Sequence, residues 1–281
     1  MKFITCNQRF GRTSHRLKDI FSVFIFSFFN NDLKVVRHPS WTERRTVRVG
    51  RSGAEINSTS IFDFAKIPMF NYVIPTHKIK YTEAYWDGID FDLFKSINDE
   101  IKSLKPGTTV EFKSVIRIHP VQLTTWYSSG LIGEDIFLNR VIPTLRNLYY
   151  KQYVSIDDLQ DQLAIHIRRG DAAHMSHTNW SLDYYVEFIK SFNESHPHTN
   201  IKVFSEYSNS EDIQCLAKLP NTEIILGDDT TLYNDLQNMI FSKFFLPCNS
   251  GLSTWISYIT LGKVFIRKDK VIKHFHKEHI W

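Results

Sequence analysis

Leu163–Asp171 reads LAIHIRRGD: branched apolar residues that pass directly into Arg168, Arg169, Gly170 and Asp171. Arginine keeps its charge at any pH near neutrality, and its planar fork matches the paired oxygens of a phosphate. Two of them at one point suit an anion that gains charge as a bond breaks, as a diphosphate leaving group does. A divalent ion is the other common solution to that problem. A second cluster, Asn249-Ser250-Gly251-Leu252-Ser253, combines small hydroxyl residues with a glycine. That is the composition of a helix start able to receive phosphate on its N–H groups. Asp171 and His174 follow the arginines closely, and carboxylates and histidine are the usual general bases. Asp171 is equally suited to an ion pair with one of the arginines.

These residues need elements to hold them. Leu163–Ile167 is expected as a buried strand, followed by a helix over Ser181–Phe192 with Ser181 as its N-cap. Strands are expected at Ile201–Ser205, Thr222–Leu226, Phe244–Pro247 and Lys263–Arg267. Helices at Ser210–Lys218, Leu232–Ser242 and Ser253–Leu261 separate them. Strands alternating with helices at this spacing predict a parallel, doubly wound sheet. Open sheets of that kind bind ligands at the carboxyl ends of their strands. The arginines, the Asn249–Ser253 cluster, Glu206 and Tyr207 all fall at that edge, with Glu206 placed for the base or ribose of a nucleotide. Asp228 and Asp229 follow the third strand and read equally well as solvated loop acids. Adjacent strand residues point to opposite faces, so Arg168 and Arg169 are expected to divide the work, one on the anion and the other in support.

The first half shows a similar but less regular plan. Met1–Cys6 and Asp32–Arg37 read as strands around a core helix over His15–Asn30, the size of a parallel crossover unit. Gly11 and Arg12 lie in the intervening loop, a second place where an anion could meet a helix N-terminus. Arg44, Arg45, Arg48 and Arg51 form a basic loop. Phe91–Ser103 reads as a helix and Thr109–Ile118 as a half-exposed alternating strand ended by His119-Pro120. Leu131–Tyr150 reads as a long helix that Pro143 kinks or breaks. A polar, acidic stretch near Ser155–Asp161 sets the domain boundary, giving 1–158 and 159–281. The expected fold class is α/β, with two Rossmann-like domains facing a cleft.

Bulk properties narrow the function. The 281 residues are 42% hydrophobic and 23% charged, a globular composition. A net charge of +4 without a clustered basic face argues against nucleic acid as a partner. Cys6, Cys215 and Cys248 show no paired or zinc-type spacing, which fits a reducing compartment. Ile20–Phe29 is apolar but far shorter than the ~20 residues of a membrane span. A cytoplasmic chain with no membrane span is expected, in which sequons at Asn57, Asn179 and Asn193 carry no information.

His166-Ile167-Arg168-Arg169-Gly170-Asp171 resembles the HxRRxD motif of the α1,2-, α1,6- and protein O-fucosyltransferases, and is most similar to the form in the α1,2-fucosyltransferase family. Val203–Glu206 (VFSE) resembles that family's FSD-type strand end. Asp235–Trp255 resembles the segment that leads to its NSxFSWW motif, with Thr254 in place of the first tryptophan. Gly11-Arg12 sits where the family carries GRLGNQ, but Thr13-Ser14-His15 departs from it. The resemblance covers the second half well and the first half poorly; it is the type found in bacterial and large-virus enzymes that build unusual glycans. It implies a GT-B fold and an inverting, metal-independent glycosyltransferase. L-Fucose from GDP-fucose would be the default donor and a glycan hydroxyl the acceptor. It also implies Arg169 as diphosphate ligand, with His166, Arg168, Glu206, Asn249, Ser250, Gly251, Ser253, Gly11 and Arg12 around the donor.

No cofactor or metal is expected; the one DxD, Asp90-Phe91-Asp92, lies outside the second αβ domain. The acceptor is expected on the first half, where Trp41, Trp86, Trp126 and Tyr127 could stack on sugar rings, most of them being core. Two other readings are compatible with the same residues. One is another donor, such as UDP-xylose, transferred to a fucose-containing glycan. The other is a non-catalytic glycan-binding protein.

Overall fold

The computed structural model describes residues 1–7, 13–41, 48–49, 54–55, 69–80, 88–113, 115–149, 156–168, 180–205, 211–227 and 232–265. Its contacts divide the chain into two compact units, Met1–Lys151 and Gln152–Trp281. No described helix is long and apolar enough to cross a membrane.

The first unit opens with β1 (Lys2–Cys6), α1 (Thr13–Phe28) and β2 (Leu33–Val35). In α1, Leu17, Ile20, Phe21, Val23, Phe24, Ile25 and Phe26 are buried, so the apolar stretch is a core helix, as its length required. A two-stranded antiparallel ribbon of β3 (Arg48–Val49) and β4 (Ala54–Glu55) follows, then β5 (His77–Ile79), α2 (Phe91–Ser103) and β6 (Thr109–Phe112). The sheet is parallel, with order β2-β1-β6-β5. None of β3, β4 or β5 was anticipated; each has only two or three residues, too few for a periodicity to register.

Three expectations for this unit need correction. Thr109–Phe112 is an interior strand with all four residues buried, not a half-exposed strand reaching Ile118. Its Glu111 is tolerated there because Lys113 Nζ lies 2.7 Å from its carboxylate. His119-Pro120 does not merely end a strand: Pro120 opens α3 (Pro120–Ser128), where a first-turn proline loses no hydrogen bond. The long helical stretch begins at Glu134, not Leu131. It comprises α4 (Glu134–Ile136), a π-helical turn over Phe137–Val141, and α5 (Ile142–Tyr149). Pro143 has no N–H and its ring crowds the preceding turn. The helix widens just before it, with Ile142 N–H donating to Phe137 O five residues back, and continues without a break.

The second unit follows the predicted alternation closely: β7 (Gln160–Ile167), α6 (Leu182–Ser195), β8 (Asn200–Ser205), α7 (Glu211–Gln214), β9 (Thr222–Leu226), α8 (Leu232–Ile240), β10 (Ser242–Leu246), α9 (Gly251–Ile259) and β11 (Lys263–Val264). Every ladder is parallel, in the order β11-β10-β7-β8-β9. Chain direction across the sheet reverses between β7 and β10.

The alternation of β7 decides which residues reach which layer. Leu163, Ile165 and Ile167 join a buried cluster with Tyr185, Ile189 and Phe192 of α6. Gln162 and His166 point the other way. Gln162 Nε2 donates to Asn238 O of α8 at 3.0 Å, and His166 meets α9. Gly262, between α9 and β11, is a point of close approach: a Cβ there would overlap the Ser242 carbonyl oxygen. Gly262→Ala is therefore expected to destabilise the protein by about 1–3 kcal/mol, measured by urea unfolding; an unchanged midpoint would mean the β10–β11 contact is looser than this.

Candidate donor site

The carboxyl ends of β7 and β10 lie side by side at the reversal point, the position where open α/β sheets form a ligand crevice. From β7 the chain emerges through Ile167 into Arg168, which is half-buried. From β10 it emerges through Pro247 and Cys248 to Asn249, which is exposed, and Ser250, which is buried. These two exits were 80 residues apart in sequence reasoning. The sheet order makes them neighbours.

Ser250 is the N-cap of α9. Its backbone is extended (φ −136°, ψ 153°) and its Oγ accepts from Ser253 N–H at 3.1 Å. Thus α9 begins at Gly251, two residues earlier than expected. Helix geometry leaves the N–H groups of Gly251 and Leu252 without an intrahelical acceptor, so the first turn still offers donors and a positive dipole end to an anion.

Ser253 sits inside that turn, fully buried. Its Oγ lies 2.7 Å from His166 Nδ1 and accepts from Cys248 N–H at 3.1 Å. The hydroxyl proposed for a phosphate cradle is thus turned towards β7. His166 is 5% exposed, and its ring is likewise committed to this contact. Cys248 Sγ completes the group, 3.4 Å from Ser253 Oγ and 3.6 Å from His166 Nδ1. Burial pushes the Cys248 thiol up, but the charge of His166 and hydrogen bonds from His166, Ser250 and Ser253 outweigh it and bring the thiol down to about 7. Sequence reasoning used Cys248 only as a redox indicator; nothing in its spacing signalled a histidine 82 residues away.

A further residue was missed at this edge. Ser205, the last residue of β8, pairs in register with Ile167 and is 6% exposed. Its Oγ is buried without a hydrogen-bond partner among the described residues. Leaving such a group unsatisfied costs about 1–3 kcal/mol. Arg169, Asp171, His174, Glu206, Tyr207, Asp228 and Asp229 lie outside the described residues, as do Gly11, Arg12, Arg44, Arg45, Arg51 and Trp86.

In the first unit the structure brings together a pair that sequence reasoning overlooked. Arg117, 1% exposed, follows β6 and donates through Nε to Asp19 Oδ1 of α1 at 2.7 Å, with Nη2 3.4 Å from Oδ2. Burial raises the Asp19 carboxyl above its ordinary range, against the lowering effect of the Arg117 hydrogen bond and charge. The aromatic candidates for sugar stacking divide. Trp41 is fully buried with Nε1 donating to Cys6 O at 2.8 Å, and Trp126 packs at 5.2 Å from both Phe91 and Phe94. Both are core. Tyr127 stacks on Phe137 with centroids 4.8 Å apart. The DxD serves a helix: Asp90 caps α2 by accepting from Leu93 N–H at 2.8 Å, and Asp92 stands exposed in its first turn. Among the described residues no group of three or more His, Cys, Asp or Glu is arranged to hold a metal ion.

No family model and no curated protein matches this sequence. Solved structures do match its fold. The apo form of POFUT1 superposes with a TM-score of 0.56 at 14% identity, covering 91% of this chain and 94% of that one. POFUT1 in complex with GDP-fucose gives 0.54 at 13% identity, covering 93% and 96%. The fold is similar to that of POFUT1. It is of the GT-B-like α/β class expected from the alternation of elements, and at such identities the likeness speaks for fold alone.

Proposed function

We propose that the protein is a glycosyltransferase that uses a nucleotide-sugar donor, with L-fucose from GDP-fucose as the first candidate. The observation that carries this reading is the meeting of two anion-binding devices at the β7/β10 reversal point. The first is the arginine-bearing exit of β7, and the second is the Ser250-capped start of α9; His166 and Ser253 join them at 2.7 Å. The motif HIRRGD occupies the first device and NSGLS the second. POFUT1, which has a similar fold, is known in complex with GDP-fucose.

In this reading the second unit binds the donor and the first presents an acceptor hydroxyl. The hydroxyl oxygen attacks the anomeric carbon from the face opposite the diphosphate, so configuration inverts. The bond from that carbon to the diphosphate oxygen breaks, and its electrons stay with the leaving group. Arg169 takes the growing charge, aided by Arg168 and by the N–H groups at the start of α9. Asp171 or His174 accepts the hydroxyl proton. Glu206 and the Ser205 hydroxyl, which has no hydrogen-bond partner among the described residues, would serve the nucleoside. No metal takes part.

Thermal unfolding in the presence of GDP, UDP and their sugars, with and without EDTA, tests this. A ligand at about 100 times its Kd adds roughly 2.7 kcal/mol of stability. GDP and GDP-fucose are expected to raise the unfolding temperature, EDTA making no difference, and GDP-fucose is expected to be hydrolysed slowly without acceptor. A response to UDP alone would point to a donor such as UDP-xylose. Binding with neither hydrolysis nor transfer would favour a glycan-binding protein, and no response to any nucleotide would sink the reading.

A further inference from the structure

We propose that Ser253 and Cys248 are positioning residues: with His166 they form a buried clasp that holds the exit of β7 and the start of α9 as one unit. This rests on the donor-site reading above and assigns these side chains a role other than touching the ligand.

The geometry carries the argument. Nδ1, Oγ and Sγ form a closed triangle with sides of 2.7, 3.4 and 3.6 Å. All three residues are buried. The hydroxyl already accepts from Cys248 N–H, so its single proton goes either to His166 Nδ1 or to Cys248 Sγ. In the first arrangement the thiol keeps its proton and the neutral ring carries its own on Nε2. In the second, one proton has moved from Sγ to the ring. Nδ1–H then donates to Oγ, and the hydroxyl donates to the thiolate. Both arrangements satisfy the group with the same heavy-atom positions, so the clasp stays closed whichever holds. The lowered Cys248 thiol agrees with the second being accessible near neutrality.

The mechanical consequence follows from chain continuity. His166 is the penultimate residue of β7, so an imidazole fixed there holds the backbone that runs directly into Arg168. On the other side, Ser253 N–H is held by the cap Ser250, so the same residue fixes the first turn of α9. Removing the Ser253 hydroxyl releases the ring and leaves the Cys248 N–H without its acceptor. It leaves the arginines and the N–H donors chemically intact.

Three measurements on the full chain test this. The His166 ring nitrogens are observed by NMR, assigned as the signals lost in His166→Gln. The Cys248 thiolate is titrated by its ultraviolet absorbance, assigned by Cys248→Ala. GDP affinity, or UDP affinity if GDP does not bind, is measured by calorimetry. Ser253→Ala is expected to shift the His166 nitrogen signals, raise the Cys248 titration from about 7, and weaken nucleotide binding roughly tenfold, the worth of one buried hydrogen bond lost. Cys248→Ala is expected to shift the same ring signals and weaken binding, and Cys248→Ser to restore most of that loss. If Ser253→Ala does not fold, the two Cys248 variants decide alone. Unchanged ring signals in the variants that fold would overturn the clasp, and shifted signals with unchanged affinity would overturn its role in positioning. A wild-type protein that binds no nucleotide while its ring signals still respond would instead locate the failure in the donor-site reading, and the positioning role would go with it.

Discussion

Arg169→Ala is expected to lower nucleotide-sugar turnover by about 100- to 1,000-fold, the usual cost of removing one preorganised donor to a developing anion. The loss should fall on the chemical step, because the diphosphate carries its full charge only as the bond breaks. Arg169→Lys should recover little of it, since a point charge on a flexible stem does not replace a fork that grips two oxygens. Arg168→Ala should behave differently. Arg168 follows the last residue of β7 and is half-buried, so its removal is expected to cost less turnover and more stability. Hydrolysis of GDP-fucose followed beside thermal unfolding separates the two. Near-normal turnover in Arg169→Ala would remove that residue from the mechanism, and equal effects of both substitutions would show that they act as one group.

Arg117→Ala is expected to lower the stability of the first unit by about 3–5 kcal/mol, the cost of breaking one side of a buried pair. The partner left behind, Asp19, already has its carboxyl pushed up by burial, and Arg117 supplies the main opposing influence. Without the guanidinium it would move further up. A carboxyl whose folded-state pKa is raised favours the folded protein while protonated, and that contribution is lost as pH rises through the folded value. The penalty of Arg117→Ala should therefore be small near pH 4 and grow towards pH 7. Replacing both partners, Asp19→Leu with Arg117→Met, should recover much of the stability. Urea unfolding at the two pH values checks the sign; a penalty independent of pH would show that lost packing, not the orphaned carboxylate, is responsible.

Much of the fold was legible because it rests on local periodicity. The five strands of the second unit and the helices between them came from runs of branched residues punctuated by polar turns, and Thr222–Leu226 agrees residue for residue. Phe91–Ser103 was equally exact, since Asp90 offers a cap where an amphipathic pattern begins. Failures occurred where local pattern and tertiary setting disagree. TVEFKSVIRI alternates like a half-exposed strand, yet β6 lies between β1 and β5 and buries Glu111 through Lys113. Pro143 reads as a kink or a break, and the helix meets it with one widened turn and runs on.

The site divides in the same way. The sequence alone determined that the strand residues Leu163–Ile167 run on into two permanent cations, and that NSGLS leads into a helix. Residue type and spacing suffice for both, because charge and backbone propensity are properties of a few adjacent residues. The alternation of elements already brought both to one sheet edge; only the tertiary structure decided that their strands are adjacent, because strand order β11-β10-β7-β8-β9 is a non-local choice. It likewise decided that Ser253 faces His166 rather than a phosphate, and that Cys248 completes the group. A strand's alternation says that two faces exist. Which face meets which helix depends on contacts 80 and more residues away, and no local pattern in the chain encodes that distance.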